Sequence, residues 1–159
     1  MYSKSFNLKI KNKISTFKKE IKIDSDKSIS IRSFLISSIS QNISSIKNVL
    51  ESEDVFSTIE CLRKLGVKIK KSGKGNYLVY GKGLGSLHSK KNLELNFGNS
   101  GTLARLLIGI LATTPNIELK IKGDHSLNKR NMKKLIFLMS KFGATFLPRK
   151  KYNLPLKII

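Results

Sequence analysis

Apolar and polar positions along the chain switch repeatedly between two periods. Phe6, Leu8 and Ile10 alternate with polar residues, which predicts a short strand, and Lys19–Ile23 predicts another. From Ser28 to Ser40 the period lengthens to that of a helix, with Ile31, Phe34, Leu35, Ser38 and Ile39 on one face. Ser44–Val49 reads as a strand and Glu53–Leu65 as a helix that turns Val55, Ile59, Leu62 and Leu65 inward. Gly66 stands where a C′ glycine stops a helix. Val67–Lys71 and Asn76–Tyr80 predict a hairpin about Ser72-Gly73-Lys74-Gly75.

After a loop over 81–91, the order recurs. Leu93–Phe97 is a predicted strand, Gly101–Leu111 a helix, Asn116–Ile121 a strand and Lys129–Phe142 a helix stopped by Gly143. Ala144–Leu147 and Leu156–Ile159 close the pattern as strands. Leu62-Arg63-Lys64-Leu65-Gly66-Val67 and Met139-Ser140-Lys141-Phe142-Gly143-Ala144 match in pattern. The chain is therefore α/β, a duplicated β-α-β-α-β-β unit at about 19–81 and 92–159. Because Ile31–Ile39 is apolar on nearly every face, that helix is expected inside, covered all round, with sheets outside.

Composition adds one anomaly. Lysine and arginine number 31 against 10 acidic residues, a formal charge of +21. A polyanion partner is one reading. Lysines spread over every segment, together with abundant Ile, Asn and Ser, favour a compositional bias instead. The aromatics Phe34, Phe56, Phe97 and Phe137 fall within helix or strand patterns, which weighs against a nucleic-acid module. Cys61 is the only cysteine and lies on a predicted helix, so it is expected to be a buried structural thiol. No apolar run reaches membrane-spanning length and no signal-peptide core precedes Lys19, so a cytoplasmic protein is expected.

The chemistry concentrates where strands hand over to helices. Lys27, Ser28 and Arg32 sit at the first junction, and a helix start with a lysine and an arginine suits a small, multiply charged anion. Gly98-Asn99-Ser100-Gly101-Thr102, followed by Arg105, occupies the equivalent junction of the second unit. Gly123-Asp124-His125-Ser126-Leu127 leads to Arg130, expected at a helix start, where it opposes the dipole unless it meets an anion. Asp124 is a possible internal partner for it. Asp54 opens a helix and could orient Lys27. His88 and His125 are read as surface residues, and no metal site is expected.

Asp-Lys-Ser-Ile-Ser-x-Arg, Gly-Asn-x-Gly-Thr-x-x-Arg and Gly-Asp-x-Ser-Leu-x-x-Arg-x-Met occur here in that order, together with Leu50–Val55 and Leu65-Gly66-Val67. From about residue 19 onward the chain resembles the EPSP synthase (3-phosphoshikimate 1-carboxyvinyltransferase) family. The resemblance implies an inside-out α/β barrel of β-α-β-α-β-β units, here incomplete, with residues 1–18 packing on a further domain. It implies transfer of the enolpyruvyl group of phosphoenolpyruvate to the 5-hydroxyl of shikimate 3-phosphate, on the route to chorismate, without a cofactor.

Lys27 would touch both substrates, Ser28 and Arg32 would hold shikimate 3-phosphate, and Gly101 and Arg130 would hold phosphoenolpyruvate. Asn99, Thr102, Arg105 and Asp54 would support them. UDP-N-acetylglucosamine enolpyruvyl transferase, which carries Lys-Asn where Lys27-Ser28 stands, is the nearer rival. Asp24-Ser25, Ile31, Leu106 and Asn131 depart from the usual family residues. The chain is about a third of a family member, and no catalytic proton carrier is identified in it. It is therefore expected to be a fragment that binds weakly and does not turn over alone, with a complementing chain as one way to complete it.

Overall fold

A computed structural model of the chain describes residues 7–9, 11, 18 and 23–159. The strand expected over Lys19–Ile23 lies largely outside the described residues; of the one expected over Phe6–Ile10, residues 7–9 are described and are not in a strand.

Helix α1 spans Lys27–Ile39 and begins at an Asp26 N-cap, whose Oδ1 accepts the Ile29 N–H at 2.6 Å. Asp26 therefore caps it through its side chain. Ile31, Phe34 and Leu35 are buried, as are Ser30, Ser37 and Ser38. The buried hydroxyls of Ser30 and Ser38 return their protons to carbonyls of the same helix, to Asp26 at 2.8 Å and Leu35 at 2.6 Å. The expectation that α1 is covered all round needs correction. Ile29 and Ile36 are 58% and 65% exposed, because no described element packs on that face.

Strand β1 (Ile43–Ile46), helix α2 (Glu53–Lys64), β2 (Lys68–Gly73) and β3 (Asn76–Tyr80) follow. They form an antiparallel sheet of order β1-β3-β2, with Ile43 opposite Tyr80 and Ile69 opposite Val79. Tyr77 and Val79 face the core from β3, and the Tyr77 ring meets Phe34 edge-on at 5.2 Å. Gly81 lies against the end of α1, where a β-carbon would stand 2.2 Å from the Ser40 carbonyl oxygen. That approach lets the Gly81 and Lys82 N–H groups reach Asn42 and Ser38 carbonyls at 2.8 and 2.9 Å.

The second half contains β4 (Glu94–Asn96), α3 (Gly101–Ala112), β5 (Leu119–Lys122), the short α4 (His125–Asn128), α5 (Lys133–Lys141), β6 (Phe146–Leu147) and β7 (Leu156–Ile158). Its sheet runs β4-β5-β7-β6, with β4 and β5 parallel and the other pairs antiparallel. The order β1-β3-β2 thus recurs as β5-β7-β6. Helices α2 and α5 end alike: Val67 N–H reaches the Leu62 carbonyl at 3.0 Å and Ala144 N–H that of Met139 at 3.3 Å. The glycine between, Gly66 or Gly143, has φ +88° or +100°. Both ends are Schellman motifs, which is why a glycine stands at each.

The helix expected over Lys129–Phe142 begins only at Lys133, as α5, and the polar loop expected before it contains the short α4. Asp124 caps α4 by accepting the Leu127 N–H at 2.7 Å, and Asn131 accepts the Lys133 N–H at 2.8 Å to open α5. Asp124 thus starts a separate short helix, and the Asn131 turn accompanies the later start of α5.

α1 packs on both α2 and α3, and one core joins the two sheets through Phe34, Leu62, Leu107, Phe97 and Ile121, all fully buried. The fold is mixed α/β with two open sheets, each burying one face, as an incomplete barrel requires. Cys61 is buried and its thiol donates to the Asn96 carbonyl at 3.3 Å; burial pushes its pKa up to about 12. No helix of the described residues is long and apolar enough to cross a membrane.

Candidate functional site

The paired starts of α1 and α2, the turn from β4 into α3 and the break after α4 meet at one polar cleft of about 470 Å³, lined by Lys27, Asp54, Asn99, Gly101, Thr102, Arg105 and Arg130. Lys27 is the first residue of α1 and Asp54 lies in the first turn of α2. Their side chains form an ion pair of 2.8 Å between Nζ and Oδ2. The lysine remains half exposed while Asp54 is mostly covered, so the carboxylate anchors the ammonium at the cleft and leaves its other protons free for a ligand.

The second segment turns from β4 into α3. Gly98 takes φ +56° and its N–H is accepted by Asn96 Oδ1 at 3.0 Å. Ser100 is the N-cap of α3, its buried hydroxyl accepting the Leu103 N–H at 3.2 Å. The first turn of α3 carries no acidic residue, so its positive dipole end stays unneutralised at the cleft. Arg105 projects one turn further along and is exposed.

Arg130 comes from the third segment. It was expected at a helix start; it stands instead in the break after α4, where its N–H binds the Leu127 carbonyl at 3.0 Å. The dipole of its own local helix therefore does not oppose it, since that helix end is a C-terminus, which tolerates a cation. Its direct partner is Asn99, whose Oδ1 accepts from Nη2 at 2.9 Å, and not Asp124. Asp124 Oδ2 accepts in turn from Asn99 Nδ2 at 2.7 Å. Sequence reasoning missed this three-residue link. The local signal for it was Asp124 three residues before Leu127, an N-cap spacing that places a short helix before the arginine.

Ser28 and Arg32 do not line the cleft. They lie four residues apart on α1, hence on one face next to that of Lys27. Ser28 is half-buried and Arg32 exposed. His88 and His125 are exposed and lie outside the cleft lining.

The cleft therefore presents three cations, Lys27, Arg105 and Arg130, against one carboxylate that is already paired. Such a site takes an anion carrying more than one charge. Which family builds it is decided by a model for EPSP synthase (3-phosphoshikimate 1-carboxyvinyltransferase), which matches residues 11–159. The chain belongs to the EPSP synthase family. It is 39% identical over 143 residues to the 3-phosphoshikimate 1-carboxyvinyltransferase of Desulforamulus reducens, covering 90% of this chain and 33% of that one. The Streptococcus agalactiae enzyme of the same name is 42% identical over 137 residues, 86% of this chain and 31% of its own. An EPSP synthase structure from Acinetobacter baumannii superposes with a TM-score of 0.78 at 31% identity, over 87% of this chain and 31% of that chain. The chain thus spans about a third of the length of the EPSP synthases it matches.

Proposed function

We propose that these residues form the anion-binding part of an enolpyruvyl transferase acting on shikimate 3-phosphate and phosphoenolpyruvate. The observation that carries the reading is the meeting of Lys27, Arg105 and Arg130, from three separate segments, at the unneutralised N-terminus of α3. Each substrate bears a phosphate and a carboxylate, and both groups are matched by cations and unpaired backbone N–H groups.

In this reading Lys27 lies between the substrates. Ser28 and Arg32 hold shikimate 3-phosphate along α1. The Gly101 backbone and Arg130 hold phosphoenolpyruvate, with Asn99, Thr102, Arg105 and Asp54 in support. Gly101 is suited to this role by its lack of a side chain: a β-carbon there would stand 2.7 Å from Arg130 Nη1. We read 19–81 and 92–159 as two units of one domain, supported by the recurring sheet order and the matched helix ends. We read 1–18 as a segment for a further domain, and the whole as cytoplasmic. Asp54, the one carboxylate of the cleft, is engaged by Lys27, so the proton transfers of addition and elimination need groups beyond those named here. A complementing polypeptide is one source of them.

Calorimetric titration of the 159-residue chain tests this. Saturable binding of shikimate 3-phosphate and of phosphoenolpyruvate is expected, without phosphate release on mixing. Lys27→Ala should weaken both, and Arg32→Ala shikimate 3-phosphate alone. Absence of saturable binding, or RNA binding that merely tracks salt, would overturn the reading.

A further inference from the structure

We infer that Asp124, which does not line the cleft, is a positioning residue that fixes the orientation of the Asn99 amide and through it the Arg130 guanidinium; the inference rests on the reading of Arg130 as a phosphoenolpyruvate contact. The argument is one of donors and acceptors. An ionised carboxylate can only accept hydrogen bonds, and a guanidinium can only donate them. Asn99 lies between the two. Its Nδ2 must therefore face Asp124 Oδ2, at 2.7 Å, and its Oδ1 must face Arg130 Nη2, at 2.9 Å. An asparagine alone at a cleft could present either end to a ligand. This one has a single orientation in which both neighbours are satisfied.

The carboxylate is itself held. Its other oxygen accepts the Leu127 N–H at 2.7 Å, and the Asp124 N–H binds the Gly98 carbonyl at 2.8 Å. The loop after β5 is thus tied to the loop before α3 by backbone and side chain together. Arg130 Nη1 meanwhile lies 2.7 Å from where a Gly101 β-carbon would stand. The guanidinium is in this way placed over the first residue of α3, with one N–H occupied by Asn99. Among the described residues no carboxylate forms an ion pair with it, so its remaining donors face the cleft.

Two substitutions separate this role from the helix cap. Serine is a strong N-cap, so Asp124→Ser keeps α4 capped and removes only the anchor for Asn99. Asp124→Asn is the sharper test. If its oxygen caps α4, its amide N–H₂ faces Asn99, which must then turn its own N–H₂ towards Arg130. Two donors would face each other. A structural role alone predicts near-equal, small effects from these two good caps; the positioning role predicts that Asn, the more conservative change in shape, does more harm.

The measurement is nuclear magnetic resonance of the labelled 159-residue chain, following the Asn99 side-chain amide and the Arg130 guanidinium signals, with titration by phosphoenolpyruvate. In the unaltered chain, distinct, slowly exchanging signals are expected from both groups. Asp124→Ser should average the guanidinium signals and weaken phosphoenolpyruvate binding roughly fivefold, and Asp124→Asn roughly tenfold or more, each with an unchanged backbone spectrum. The proposal is overturned if both variants leave the Asn99 and Arg130 signals unchanged, or if binding stays within twofold in both. If the unaltered chain binds no phosphoenolpyruvate, the substrate reading fails, while the two side-chain signals still decide whether Asp124 holds Arg130.

Discussion

Replacing Arg130 separates ligand binding from folding more cleanly than any other change at the cleft. The side chain is exposed, lies in a break between helices and, among the described residues, has a single protein hydrogen bond, to Asn99 at 2.9 Å. Its loss should therefore alter stability by no more than about 0.5 kcal/mol, as for an ordinary surface position. For a chain of this size that is about 2 °C or less in Tm. Binding is another matter. A hydrogen bond to a charged group contributes about 1.5–3 kcal/mol, so Arg130→Ala should weaken phosphoenolpyruvate binding roughly 10- to 150-fold. Arg130→Lys keeps the charge and loses the planar fork, and should fall between. Because the cleft is open, added salt should weaken the parent and the lysine variant more than the alanine variant. Calorimetry with phosphoenolpyruvate, alongside thermal melts, reads both quantities. Alanine and parent chains of equal affinity and equal Tm would refute the assignment of Arg130 to the ligand.

Cys61 supplies a reporter of unfolding: with its pKa near 12 in place of 9.0, its thiolate fraction at neutral pH is roughly a thousandfold reduced, and alkylation of the native chain should be slower by at least that factor than in denaturant. Mass spectrometry of iodoacetamide-treated samples reads this directly. Phe34→Ala should cost about 3–5 kcal/mol, since the ring is fully buried and packs edge-on against Tyr77. Urea denaturation should show a large fall in midpoint, as total stability is of order 5–15 kcal/mol. Glu51 accepts from Lys71, Tyr77 and Gly75, and these bonds lower its pKa from 4.5 to about 2. Its contribution is therefore complete above pH 4.5 and declines as pH falls towards 2, where the folded carboxylate also takes up a proton. Glu51→Gln should flatten that part of the profile of Tm against pH.

The order and type of most elements were legible in the sequence because each describes a local preference. Apolar periods located α1, α2 and α3, and Gly66 and Gly143 marked helix ends because a Schellman turn needs a left-handed residue there. The motifs around Lys27, Asn99 and Arg130 could be picked out for the same reason: strand-to-helix junctions have fixed chemistry. The short α4 and the later start of α5 were missed because both depend on polar side chains, the Asp124 cap and the Asn131 turn, that an apolar period does not register. Nor could composition show that Ile29 and Ile36 face outwards, since exposure depends on what packs against a helix and not on the helix itself.

Tertiary structure alone decided which charges meet. Lys27 pairs with Asp54 across two helix starts, and Arg130 reaches Asn99 across 31 positions of chain. It also left Ser28 and Arg32 off the cleft lining that takes Lys27, because successive helical residues point about 100° apart. Sequence determines the residue types and local turns from which a site can be built. The distances that turn three basic residues into one anion site exist only once the core of Phe34, Leu62, Leu107 and Phe97 has closed and brought the helix starts together.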